Sequence, residues 1–197
     1  MGSPTLIRKI NKIEKKIVLN TFSEISGEVK SFFNENQNHF YVVIFKDDNT
    51  NNYPGIFFVS NSLIETFEKL ESKSKAISLG IFFGFIKRGQ LYLSIEGAEF
   101  LDIKNLIPMK RKFNVNKNLE RSILYGNDIT KSMIKTSFFD NIVSLKEGNL
   151  VFIFNTNDEF LCISKTRKNG IKFKNVEGNK IVFQNLIDKG YYLRKHQ

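Results

Sequence analysis

Leu150-Val151-Phe152-Ile153-Phe154-Asn155-Thr156-Asn157-Asp158-Glu159-Phe160-Leu161-Cys162-Ile163-Ser164 is the stretch that decides how the second half of this chain folds. Leu150 to Phe154 is apolar at every position, which suits a strand buried on both faces. Asn155-Thr156-Asn157-Asp158 has the composition of a tight turn, and Phe160 to Ser164 is the returning strand. Downstream, Lys180-Ile181-Val182-Phe183 reads as another strand, followed by a last helix from about Asn185 to Leu193. Upstream as far as Pro108, short strands and turns dominate, with only two short helical pieces. Many short strands with few helices predict a small barrel.

Pro108 and the cluster Lys110-Arg111-Lys112 mark a domain boundary, giving an N-terminal domain over 1–109 and a second over 110–197. The first domain mixes both kinds of element. Ile7, Ile10, Ile13 and Ile17 follow the 3–4 residue spacing of a helix, with Arg8, Lys9, Lys12, Lys15 and Lys16 opposite. Thr21-x-x-Glu24 matches a capping box and predicts a second helix burying Phe22, Ile25, Val29 and Phe32. Residues 39–46 alternate as a strand, turn at 47–52, and return over Gly55 to Val59 as a hairpin. Ser60 or Asn61 then caps a helix through Leu70, with Leu63, Ile64 and Phe67 inward. A strand from Ile77 to Ile86 is interrupted by Gly80 and Gly84 and turns at Lys87-Arg88-Gly89 into Leu91 to Ile95. A short helix follows over Ala98 to Leu101. The fold class predicted is α+β, an antiparallel sheet with flanking helices followed by a pseudo-barrel.

Charge separates the halves more sharply than pattern does. Residues 1–109 hold 13 Lys+Arg against 12 Asp+Glu, or +1, while residues 110–197 hold 17 against 8, or +9. Clustered cations bind polyanions by releasing condensed counterions, so the second domain is expected to meet nucleic acid. Its basic runs are Lys110-Arg111-Lys112, Lys131 with Lys135, Lys165-Thr166-Arg167-Lys168 with Lys172 and Lys174, and Arg194-Lys195. Tyr and Phe interleave with them and can stack on unpaired bases.

Little else points to chemistry. The chain lacks a phosphate-cradling Gly-Lys-Ser/Thr loop, a Gly-x-Gly-x-x-Gly turn and a Gly-x-Ser-x-Gly elbow. Cys162, the single cysteine, cannot form an internal disulfide and reads as a small buried hydrophobe. With only His39 and His196 beside it, no metal site is expected. Asp47-Asp48 and Asp158-Glu159 fall in turns, where solvated acids are ordinary. No apolar run approaches the roughly 18 residues of a membrane span, and Met1 to Thr5 lacks a secretory core. No cofactor, no membrane and no enzymatic activity are expected.

Ser122-Ile123-Leu124-Tyr125-Gly126-Asn127-Asp128-Ile129-Thr130-Lys131-Ser132 resembles the opening motif of PUA domains, a Gly turn leading into a short helix. Leu124-Tyr125-Gly126-Asn127 is closer still to the Nip-seven family of ribosome biogenesis factors. Phe57-Phe58-Val59-Ser60, Ser78-Leu79-Gly80 with Gly84, Leu91-Tyr92-Leu93-Ser94 and Asp188-Lys189-Gly190-Tyr191-Tyr192-Leu193-Arg194 match in order, so the resemblance runs from about residue 5 to Arg194. Met133 departs from it where a glycine is common, Glu159 to Ile163 where the family has a Gly-containing strand, and Tyr191 where an acid is usual.

The resemblance implies a pre-PUA domain followed by a PUA barrel, acting without catalysis in processing pre-ribosomal RNA of the large (60S) subunit. Its implied partners are pre-rRNA, other assembly factors and pre-60S particles. The protein would be a monomer in the nucleus and nucleolus, or in the cytoplasm of a cell without a nucleus. RNA in PUA domains commonly follows the Gly turn, short helix and last strand. That implicates Tyr125, Gly126, Asn127, Thr130 and Lys131, flanked by Lys165, Arg167 and Lys168. Read from the residues alone, Gly126 is equally a turn needing positive φ, and Tyr125 and Tyr192 favour core packing over stacking. Two other readings remain open: a protein-interaction adaptor in a pre-ribosomal complex, and an accessory part of an RNA-modifying enzyme.

Overall fold

The computed structural model describes residues 4–45, 53–69 and 79–194. The turn predicted over 47–52, the beginning of the strand from Ile77, and Lys195 lie outside the described residues. The chain divides into two units, Met1–Leu101 and Asp102–Gln197.

The first unit is built on an antiparallel sheet of five strands in sequence order: β1 (Pro4–Lys9), β2 (Phe40–Phe45), β3 (Gly55–Phe58), β4 (Ile81–Lys87) and β5 (Gln90–Leu93). β1 corrects the helix predicted for this segment. Arg8 and Lys9 pair with Val42 and Tyr41 of β2, and a nonlocal ladder of this kind overrides a local 3–4 periodicity. Helix α1 (Lys12–Ile25) starts only after Asn11, whose side chain caps it while Glu14 returns the capping-box bond. Ile13, counted on the inward face, is 73% exposed. Arg8 closes on Glu14 through two 2.7 Å bonds, tying β1 to the first turn of α1. Burial pushes the Glu14 carboxyl up, but the bonds from Arg8 and the Asn11 N–H outweigh it and hold its pKa below the usual value.

Thr21 sits within α1, and its hydroxyl donates to the Ile17 carbonyl instead of opening a helix. The second helix, α2 (Gly27–Asn36), is capped by Ser26, which accepts from the Val29 N–H. On one face of the sheet Phe22, Phe33, Phe40 and Phe83 meet in edge-on and tilted pairs with centroids 5.1–6.1 Å apart. On the other face Ile64 of α3 (Asn61–Glu68) packs against Tyr41, Val43, Phe57 and Val59. Leu63, predicted inward, is 45% exposed.

Gly84 has φ +133°, and a Cβ there would stand 2.0 Å from the Tyr92 carbonyl oxygen, so the β4–β5 pairing admits only glycine. Arg88 and Gly89, at φ 50° and 73°, turn the chain between β4 and β5. Ser94 accepts from the Gly97 N–H, which lengthens the short helix predicted over Ala98 to Leu101 into α4 (Ile95–Ile103).

The second unit runs β6 (Lys112–Asn114), α5 (Glu120–Leu124), β7 (Ile129–Thr130), α6 (Phe139–Val143), β8 (Leu150–Phe154), β9 (Phe160–Thr166), β10 (Ile181–Asp188) and α7 (Tyr191–Arg194). Its sheet order is β6-β8-β9-β10-β7, with β6 parallel to β8 and the other pairs antiparallel. A bridge between Val115, just past β6, and Ile134, just past β7, draws the two edges together. The sheet therefore curls into a pseudo-barrel. Phe113, Ile123, Ile129, Val151, Ile153 and Phe183 fill its interior among other apolar residues. β10 corrects the helix predicted from Asn185. Asn185 and Ile187 pair with Ser164 and Ile163, so the strand continues to Asp188 and leaves α7 only four residues. Among the described residues no helix is long and apolar enough to cross a membrane.

Cys162 is fully buried on β9, 3.3 Å from the Ser164 hydroxyl. Burial pushes its thiol up to about 12; the Ser164 hydrogen bond opposes this and the charge of Asp188 adds to it. Native protein is expected to resist alkylation by iodoacetamide at neutral pH and to react once unfolded. The raised value also has a pH sign. The unfolded thiol ionises near 9 and the folded one does not, so this contribution to stability is complete below pH 9 and is lost as pH rises toward 12. The Cys162→Ala variant should show a smaller alkaline drop in Tm than the parent; an equal drop would contradict the assignment.

Candidate nucleic-acid interface

The end of β9 is fastened to the turn before β8. The Thr166 hydroxyl donates to the Lys146 carbonyl at 2.5 Å and accepts from the Asn149 N–H at 2.9 Å. The Gly148 N–H reaches the Thr166 carbonyl at 2.9 Å. Asn169 accepts from the Glu147 N–H at 2.8 Å, and Gly170 donates to Leu145 at 2.8 Å. These bonds hold a basin of about 340 Å³ lined by Glu147, Arg167, Lys168, Asn169 and Lys172.

Lys165 alternates outward from the sheet between buried Ser164 and Thr166, its stem 3.5 Å from the point a Cβ on Gly148 would occupy. Lys165, Lys168 and Lys172 are exposed and form no ion pair among the described residues. Arg167 leans toward Asp128 at 4.0 Å, while its N–H bonds the Val182 carbonyl of β10. At that distance and half exposed, the guanidinium is free to turn to another anion. Exposed cations lining one basin, with one carboxylate among them, suit a phosphate chain.

The Gly turn lies across β10 from this basin. Gly126 has φ +89°, the left-handed region that favours glycine. Asp128 accepts from the Asn185 N–H at 2.9 Å on one oxygen and faces Arg167 with the other, so the turn and the basic loop share one acid. Tyr125, expected in the core, is 60% exposed with the Arg121 guanidinium over its ring at 5.5 Å. Its phenol pKa is lowered by the Arg121 hydrogen bond and by that residue's charge. Asn127 donates to the Ser122 hydroxyl at 3.1 Å and Thr130 shares a hydrogen with Ser132 at 3.1 Å, both at the surface.

Lys131 is placed differently. Its ammonium donates to the Val176 carbonyl at 2.9 Å and stands over the rings of Phe139 and Phe173, so its charge is held by the module. The structure thus brings Tyr125, Gly126, Asn127, Arg167 and Lys168 to neighbouring turns, with Lys165 beside them. It commits Lys131 elsewhere.

Two other basic runs serve the fold. Arg111 is buried and donates to the Leu150 carbonyl at 3.2 Å, and Lys112 pairs with Asp102. Arg194 grips buried Asp188 with bonds of 3.0 and 2.8 Å and donates to the Leu124 carbonyl. That clamp, with Asn185 donating to the Ile123 carbonyl at 3.0 Å, shapes the Gly turn from beneath. Sequence reasoning missed it, together with Glu147 and Asn169. Its only local sign was Asp188, the one acid of β10. The side chains of Lys174 and Tyr192 lie outside the described residues.

Residues 111–197 match the family model described as the UPF0113 PUA domain. The second unit has the PUA-type fold. A UPF0113 protein of Archaeoglobus fulgidus is 30% identical over 118 residues, which is 60% of this chain and 62% of that protein, so the chain matches less than two thirds of the relative's length. A conserved PUA domain protein from Thermoplasma acidophilum has the same fold, at TM-score 0.55 and 14% identity over 97% of this chain and 99% of that one. A hypothetical protein from Pyrococcus horikoshii OT3 superposes at TM-score 0.58 and 16% identity, covering 95% and 99% of the two chains. A PUA domain from Aeropyrum pernix K1, solved as a tartrate complex, gives TM-score 0.58 at 10% identity over 96% and 93%. At such identities these likenesses establish the fold alone, in both units.

Proposed function

We propose that this protein is a non-catalytic RNA-binding factor that acts in pre-rRNA processing and large-subunit assembly, as the resemblance to the Nip-seven family implies. Its partners are then pre-rRNA and other assembly factors. It works in the nucleolus where the cell has a nucleus and in the cytoplasm otherwise. The observation that carries the RNA-binding reading is the basin beside the Gly turn, where Lys168 and Lys172 form no ion pair among the described residues, Arg167 has only a distant one, and exposed Lys165 lies close by. Side chains of this kind hold phosphates without reading sequence, and exposed Tyr125 adds a ring on which an unpaired base can stack.

A salt titration tests the RNA contact. Four phosphates neutralised along a single strand give a slope of log K against log salt of roughly −3, at about −0.7 per contact. A flat response would remove the electrostatic interface. Crosslinking in cells followed by sequencing tests the ribosomal role, with pre-rRNA expected among the attached RNAs. Recovery of transfer or messenger RNA in its place would move the protein to another pathway.

A further inference from the structure

The first unit carries an aromatic ladder that the PUA reading leaves unused. Phe85 of β4 and Tyr92 of β5 are register partners, and their rings stack at 5.3 Å with only 2° between planes. Tyr53 continues the stack on the other side of Phe85, at 5.7 Å and 23°. The Lys87 ammonium stands over the Tyr53 ring at 4.7 Å. Leu91 and Leu93, which flank Tyr92 in β5, are buried, whereas Tyr92 is 44% exposed. The ladder therefore occupies the sheet face opposite to those leucines. α4 lies on their side, because a Cβ on Gly97 would come 2.9 Å from the Phe83 backbone and 3.2 Å from the Leu93 side chain. On the ladder's own face, α3 covers Phe57 through Ile64, while Tyr92 remains open to solvent.

Two features say what the ladder would hold. Among the described residues β5 is an edge strand, and the stack of rings ends at Tyr92. One more flat ring can extend it there. Along the strands the charge is of one sign: β3, β4, β5 and the β4–β5 turn contain no acid, while Lys87 and exposed Arg88 sit at that turn; the acid on this face, Glu65, belongs to α3 over Phe57. Stacked rings with cations, and no carboxylate, on their own strands are what an unpaired nucleotide requires, with the base on the ring and the phosphate on the cation. A hydrophobic peptide would use the rings and leave the cations idle.

We infer that the Phe85–Tyr92 ladder of the first unit is a second RNA contact, one that stacks an unpaired base on Tyr92 with its phosphate near Lys87 and Arg88. It stands on observations independent of the PUA basin, and the two can fail separately.

The test uses the full chain and two probes, a fluorescein-labelled single-stranded oligouridylate and a fully paired RNA duplex. Tyr92→Thr keeps a β-forming residue at an exposed position and should leave the fold intact. It should weaken the single strand on the order of tenfold, the effect of removing one stacking ring, and leave the duplex unchanged because its bases are already stacked. Lys87→Glu with Arg88→Glu should also weaken the single strand. Photocrosslinking with a 4-thiouridine oligonucleotide should label the peptide containing Phe85 to Tyr92, and this label should persist when Arg167 and Lys168 are replaced by alanine. Loss of only the PUA-unit crosslinks in that variant would support the ladder and the basin together. Unchanged single-strand affinity in Tyr92→Thr, or no crosslink in that peptide, would overturn the proposal and leave the ladder as a face for a protein partner.

Discussion

Alanine at Lys165, Arg167, Lys168 and Lys172 together is expected to lower affinity for single-stranded RNA about a thousandfold at about 0.1 M salt, and to flatten the salt slope by about 3. Each phosphate neutralised contributes about 0.7 to 0.9 to the slope, which is the same number of decades of affinity between about 1 M and about 0.1 M salt. Four contacts therefore sum to roughly three decades. These side chains take no part in the core, and the one ion pair lost among the described residues, Arg167 with Asp128 at 4.0 Å, is weak, so Tm should not move. Replacing exposed Lys110 and Lys117 by alanine is the control for charge alone and should cost far less. Fluorescence anisotropy across a salt series measures both quantities. If the control double variant loses affinity in proportion to its charge, binding follows net charge and the basin has no special role.

Gly170→Ala should be the most damaging single-methyl change in the second unit. A Cβ at Gly170 would lie 1.7 Å from the Ile142 carbonyl oxygen and 2.9 Å from the Val143 carbonyl carbon, both backbone. No rotamer can relieve a clash between two main chains, so α6 or the 167–172 loop must shift. The Gly170 bond to Leu145 and the Asn169 bond to Glu147 would go with that shift. Overpacking of this kind costs about 3 kcal/mol. In a domain of this size that corresponds to a fall in Tm of roughly 15 °C. Because the moving loop carries Arg167, Lys168 and Lys172, RNA affinity should fall as well, below the melting transition. Gly178→Ala is the matched control. The nearest atom to its added Cβ is the Ser132 Cβ at 3.6 Å, an ordinary contact, and calorimetry should find it unchanged. Equal melting of the two variants would mean that the 167–172 loop yields freely to α6.

The readable parts of this protein were those whose signals are local or additive. Leu150 to Phe154 read as a strand buried on both faces, and in β8 Val151 to Phe154 are all buried, Val151 and Ile153 within the pseudo-barrel. The +9 of residues 110–197 needed only counting. Lys87-Arg88-Gly89 announced its turn through backbone preference, and Gly126 its positive φ. Cys162 was legible as core from its apolar neighbours.

What the sequence left undetermined rests on partners distant along the chain. Ile7 and Ile10 satisfy a helical period as well as a strand, and the choice was made by β2, more than thirty residues away. Asn185 continues a strand because β9 supplies its ladder. Sorting the basic runs also required the folded chain. Arg194 is spent on Asp188 and Leu124, Arg111 on Leu150, Lys112 on Asp102 and Lys131 on Val176. Lys165, Lys168 and Lys172 were left to solvent. Composition determined how much positive charge this protein carries, because charge is a sum over residues. Only the tertiary structure decided which of it is available to a phosphate, because availability depends on whether a carbonyl or carboxylate from elsewhere in the chain has already taken the cation.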